Sequence, residues 1–67
     1  MAKPTPIPVT GAERKVLLWL QRGLSNRAIA NELVLSPRTV ESHIANLLGK
    51  TGCHNRTQLL LWALAEP

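Results

Sequence analysis

The chain has 67 residues, one cysteine and a formal net charge of +4. This length allows one domain at most, and such a domain buries only about 60% of its unfolded surface. An intramolecular disulfide is excluded, and so is any metal site built on paired cysteines or histidines, since only Cys53, His43, His54 and the acids remain as ligands. The isoelectric point of about 10.3 favours an anionic partner, with nucleic acid the commonest for a small basic domain. No apolar run approaches the ~20 residues of a membrane span, so no membrane association is expected. A lone thiol without an export signal fits a reducing cytoplasm.

Residues 1–9 carry Pro4, Pro6 and Pro8 on alternate positions. Such a stretch is extended and cannot be helical, so it reads as a linker or tail, with Ile7 or Val9 expected to tuck onto the core of the domain at 10–66. Thr10 and Glu13 form a capping box that opens a helix at about 10–22, with Gly23 to stop it. Glu13, Val16, Leu17 and Leu20 share one stripe, and the last three are expected to face the core. Trp19 belongs at the core edge, and Leu18 on the surface or against another domain.

Ser25 caps a second helix at about 26–34, whose inner stripe is Ile29, Ala30 and Leu33. Val34, Leu35 and Ser36 then form a connection of the length found in a helix-turn-helix. Asn26 and Arg27 stand where free N–H groups at a helix start favour phosphate. For Arg27 a solvated surface role is equally open.

The segment from Ser36 to Lys50 reads as the best-bounded helix, at about 37–50. Ser36 is its N-cap, Pro37 suits the first helical position, and Gly52 provides the left-handed stop. At ~100° per residue, Val40, Ile44, Leu47 and Leu48 fall on one face. Arg38, Thr39, Ser42, Ala45, Asn46, Gly49 and Lys50 fall on the other. That second face is small and hydrogen-bonding in its middle and basic at both ends. It can therefore approach another surface closely, and the DNA major groove admits one α-helix. A solvated surface helix is the competing reading.

Asn55 caps a fourth helix at about 56–65, and Gln58 is placed to complete a second capping box. The run Leu59–Ala65 is apolar all round. Leu60, Ala63 and Leu64 are expected to pack inward, leaving Leu61, Trp62 and Ala65 for a second partner, most simply another copy of the chain. His43 is read as packing at the edge of the second and third helices rather than as a metal ligand or a pH switch. Cys53 is read as filling a small core site. No nucleophile–base–acid set, phosphate loop or metal cluster is present in the sequence, so neither an enzyme nor a cofactor is expected.

Taken together, these signals resemble the LuxR/GerE-type helix-turn-helix domain. This is the DNA-binding effector of bacterial response regulators of two-component systems and of quorum-sensing regulators. The residues that carry the resemblance are Thr10 with Glu13, Val16-Leu17, Gly23-Leu24-Ser25-Asn26, Ile29-Ala30, Leu33, Ser36, Thr39-Val40, His43-Ile44, Asn46-Leu47, Lys50, Gly52 and Asn55-Arg56-Thr57-Gln58. They run from about Val9 to Ala65.

The resemblance implies an all-α, four-helix fold for a transcription-regulator domain. The third helix would read the major groove of double-stranded DNA, and the fourth would form a homodimer. It places Glu41, Ser42 and Ala45 at base edges, and Ser25, Asn26, Thr39, Lys50 and Asn55 or Arg56 near phosphates. The face analysis adds Asn46 to the first group and Arg27 and Arg38 to the second. An N-terminal receiver or ligand-binding domain and RNA polymerase are the further partners implied. The sequence departs from the family pattern at Glu41, where lysine is frequent, and at Ala28, Ala45, Gly49 and Thr51. A protein-interaction module of the same fold, with weak or no sequence-specific DNA binding, is the alternative reading.

Overall fold

The computed structural model describes residues 8–65, which form four helices: α1 (Gly11–Gln21), α2 (Asn26–Leu33), α3 (Pro37–Thr51) and α4 (Arg56–Ala65). The proline-rich segment before Pro8, with Ile7, lies outside the described residues. Each helix begins where a polar side chain meets its first-turn amides. Thr10 and Glu13 form the full capping box of α1, with Thr10 Oγ1 accepting the Glu13 N–H at 3.1 Å and Glu13 Oε1 accepting the Thr10 N–H at 3.0 Å. Ser25 Oγ accepts from Ala28 N–H, Ser36 Oγ from Thr39 N–H and Asn55 Oδ1 from Gln58 N–H. The second box expected at α4 differs from expectation. Gln58 Oε1 accepts the N–H of His54, one residue beyond the cap, at 2.7 Å, because the long amide side chain passes Asn55.

The α1, α2 and α3 helices stop in left-handed turns. After α1, Gly23 has φ +84°, and the N–H groups of Gly23 and Leu24 donate back to the carbonyls of Leu20 and Trp19. This is the paired closure that lets the chain reverse while satisfying the last carbonyls. The closure of α2 has the same pattern, Val34 N–H to Asn31 and Leu35 N–H to Ala30, but a β-branched residue, Val34, occupies the left-handed position at φ 56°. A Cβ crowds the following carbonyl in this conformation, and branching worsens it.

The core gathers one stripe from each helix. Val16, Leu17 and Leu20 come from α1, Ile29 and Ala30 from α2, Val40, Ile44 and Leu47 from α3, and Leu59 and Ala63 from α4. The α1 and α3 helices each pack against all of the other three. Val9, Trp19, Leu24, Leu33, Leu35, Leu48, Cys53, Leu60 and Trp62 close the margins of the core. Gln21 Nε2 ties α1 to α4 by donating to the Ala63 carbonyl at 2.9 Å.

The orientation of α4 corrects two expectations. Leu64, expected inside, is 59% exposed, while Leu59 is fully buried. Trp62, expected outside, is half-buried against the core margin. A helix that is apolar all round has no amphipathic stripe to set its rotation, so tertiary contacts set it. The outer stripe is Leu61, Leu64 and Ala65.

Val34 is 89% exposed, so its side chain contributes no packing to offset its backbone strain. The Val34→Gly variant is expected to be more stable by about 1 kcal/mol. Differential scanning calorimetry should record this as a rise of about 4–8 °C in Tm.

Candidate nucleic-acid interface

The turn Val34–Ser36 joins α2 to α3, and the two helices pack against each other. On α3 the buried residues Val40, Ile44 and Leu47 leave Arg38, Glu41, Ser42, Ala45, Asn46 and Gly49 on the open side, all exposed. These positions recur at helical spacing, so they form one stripe along a rod about 22 Å long at 1.5 Å per residue. Only Arg38 and Glu41 in this stripe have long charged side chains. Thr39, half-buried, faces the cap, with its hydroxyl 2.9 Å from the Ser36 hydroxyl. The half-buried His43 lies at the edge of this face.

At the start of α2, Ser25 and Arg27 are exposed and Asn26 is half-buried. The first-turn amides of α2 point out of the helix start, where a helix offers no backbone acceptor. Asn55 is exposed before α4 and engaged as its cap.

Two cations expected at phosphates are committed within the domain. Lys50 Nζ donates to Glu13 Oε1 at 2.5 Å and to the Pro8 carbonyl at 2.9 Å. Glu13 is almost fully buried. The Lys50 ammonium and the Thr10 N–H hold its carboxyl below the ordinary glutamate value, overcoming the opposing effect of burial. Arg56 donates from Nη1 to Asn26 Oδ1 and from Nη2 to the Leu24 carbonyl at 2.7 Å. Neither engagement was anticipated from sequence. The signal for the first was visible: Glu13 lies on the same stripe as Val16, Leu17 and Leu20, and a carboxylate on a buried stripe requires a cation. Arg27 and Arg38 are the two exposed cations of the α2–α3 face.

The dimer candidates also separate. Leu61 and Ala65 are exposed, while Trp62 is only partly so. Among the described residues, no cluster of three or more His, Cys, Asp or Glu side chains is grouped to hold a metal ion. No described helix is long and apolar enough to cross a membrane.

A short helix joined by a three-residue turn to a longer one, the second with a buried back and an exposed front that is short-chained in its middle, defines a helix-turn-helix domain. The family model described as "Bacterial regulatory proteins, luxR family" matches residues 8–63. The chain is 39% identical over 57 residues to Fimbriae Z protein of Salmonella typhimurium, covering 85% of this chain and 27% of that protein. It is 41% identical over 63 residues to Response regulator Rre1 of Synechocystis, covering 91% of this chain and 27% of that protein. It is 42% identical over 52 residues to a putative HTH-type transcriptional regulator of Mycobacterium tuberculosis, covering 78% of this chain and 6% of that protein. The chain therefore belongs to the LuxR family of bacterial regulatory proteins, as its DNA-binding helix-turn-helix domain. It spans about a quarter or less of the length of these relatives.

The pairing of Glu13 with Lys50 gives a pH signature. The folded carboxyl titrates below its ordinary value of 4.5, so the stabilisation it supplies is complete above that value. It is lost as pH falls from about 4.5 through the lower folded value. The Glu13→Gln variant should be less stable than the parent at pH 7, and the gap should narrow as denaturant titrations are repeated towards pH 3. Lys50→Met, which strands the buried carboxylate, is expected to cost about 2 kcal/mol at neutral pH.

Proposed function

We propose that this domain binds duplex DNA by laying α3 in the major groove, and that it does so as a homodimer through α4. The observation that carries the reading is the front of α3: six exposed positions in one stripe, short in the middle, on a helix whose back is locked into the core. Short side chains let the helix axis approach base edges. Ser42 and Asn46 supply hydrogen-bonding groups, Ala45 an apolar touch for a thymine methyl, and Glu41 an acceptor for a cytosine amino group. Arg38 and Arg27 flank the stripe as phosphate contacts, with Ser25, Asn26, Thr39 and Asn55 as neutral ones. Lys50 serves this site by holding the last turn of α3 against α1.

The dimer surface is the outer stripe of α4, Leu61, Leu64 and Ala65, since two large aliphatic side chains exposed one turn apart on a small domain invite a self-complementary contact. Two copies related by a twofold axis would place their reading helices about 34 Å apart, one DNA turn. The names "Response regulator" and "transcriptional regulator" carried by relatives support a regulatory role in a longer protein; a signal-receiving domain in that longer protein and RNA polymerase as a downstream partner belong to the same proposal. A binding role without enzymatic activity, in the cytoplasm, follows from the same reading.

A fluorescence titration with promoter DNA at several salt concentrations tests the proposal. Two exposed cations per copy correspond to about four phosphate contacts per dimer, hence a slope of log K against log salt near −4. Arg38→Ala should weaken binding and make the slope shallower by about 1 per copy. Glu41→Gln should relax selectivity at one base position, worth about 1–3 kcal/mol. Binding that is insensitive to salt, or unaffected by Arg38→Ala, would refute this docking and favour a protein-interaction module.

Sedimentation equilibrium tests the dimer separately. Leu64→Glu is expected to yield monomers with an unchanged circular-dichroism spectrum, whereas Leu59→Glu should unfold the domain.

A further inference from the structure

The α2 and α4 helices do not pack against each other; each packs only on α1 and α3. Between the end of α1 with the turn that follows it and the start of α4 lies a cleft of about 220 Å³ lined by Leu20, Gly23, Leu24, Arg56, Thr57 and Leu60. One side chain spans this gap. Arg56 starts α4, and its guanidinium donates to the Leu24 carbonyl in the α1–α2 turn and to Asn26 Oδ1 in the first turn of α2. Among the described residues, these are the hydrogen bonds that connect α4 to the α1–α2 turn and to α2.

We propose that Arg56 is a positioning residue for DNA binding: a strut that fixes the first turn of α2 relative to α4 and does not itself contact phosphate. This role rests on the proposed docking of the α2–α3 face, and it differs from the family resemblance, which places this cation near the backbone of the nucleic acid.

Three observations lead to this. Both ends of the guanidinium fork are taken by protein acceptors, and Arg56 is half-buried, so a phosphate would have to displace at least one of them. The fork geometry matters, because two acceptors on different elements are held by one planar group, which a lysine ammonium cannot reproduce. Finally, Asn26 is left with a defined role. With its carbonyl oxygen engaged by Arg56, its Nδ2 donor is oriented and free to bind an anionic oxygen, beside the first-turn amides of α2. The strut also links the two functional surfaces of the domain. A shift of α4 on dimerisation would be delivered through Arg56 to the end of α2 that faces the DNA backbone.

The test compares Arg56→Met, Arg56→Lys, Asn26→Ala and the double variant Arg56→Met/Asn26→Ala. Salt-dependent DNA titrations are run at a temperature where circular dichroism shows each variant folded. A strut predicts about a three- to tenfold loss of affinity for Arg56→Met, with the salt slope unchanged. It predicts a similar loss for Arg56→Lys, since the retained charge cannot replace the fork. It also predicts a double variant no weaker than the worse single one. In the absence of DNA, Arg56→Met should move the amide resonances of Leu24 to Ala28 and leave those of Ser42 to Gly49 in place. A slope reduced by about 0.9 per copy, with Arg56→Lys restoring both slope and affinity, would make Arg56 a phosphate ligand and overturn the strut. Additive losses in the double variant, or undisturbed Leu24–Ala28 resonances, would also overturn it. Salt-independent binding by the parent chain would instead remove the docking on which the strut depends, so the two failures are separable.

Discussion

A buried carboxylate must be paired, and Glu13 meets that requirement with two parts of the chain at once. Its Oε1 accepts the Thr10 N–H that closes the start of α1 and the Lys50 ammonium from the last turn of α3. Lys50 in turn holds the carbonyl of Pro8, where the lead segment meets the domain. With ten buried apolar residues among those described, one polar cluster that aligns two helices and the incoming segment of chain contributes registry that side-chain volume alone does not provide. Its effect is felt on α3, because the helix that carries the reading face is held at its C-terminal end by this pair and along its length by Val40, Ile44 and Leu47.

The economy of charge follows from the same arrangement. Eight basic residues suggest a broad cationic surface, yet Lys50 and Arg56 are directed inward, and Arg22 lies over the Trp19 ring at 5.2 Å. Arg27 and Arg38 are then the exposed cations beside the reading helix, and Glu41 opposes them from within the stripe. A face of this kind relies on close approach and hydrogen bonding more than on net charge.

The helix ends show how local chemistry and strain are distributed. Gly23 and Gly52 occupy left-handed positions at no steric cost, while Val34 occupies the equivalent position after α2. Because Val34 lies in the turn between the two helices of the reading unit, its strain is borne where the α2–α3 angle is set. The caps at Ser25 and Ser36 and the pair of hydrogen bonds closing α2 hold that turn in place.

The elements themselves were written in local sequence. Thr10 with Glu13, Ser25, Ser36-Pro37 and Asn55 announce four helix starts, and Gly23 and Gly52 two of the stops, because capping is satisfied within three or four residues. The back and front of α3 were equally legible, since its apolar residues obey one period. What tertiary structure alone decided were the features that depend on distant partners. The rotation of α4 could not be read from a helix apolar on every side, so Leu59 rather than Leu64 became the buried residue. The partners of Lys50 and Arg56 lie 37 and 30 positions away in sequence, at Glu13 and Asn26. Spacing rules reach one helical turn. Whether a cation faces solvent or a buried acceptor is settled by how the helices pack, and packing is a property of the whole chain.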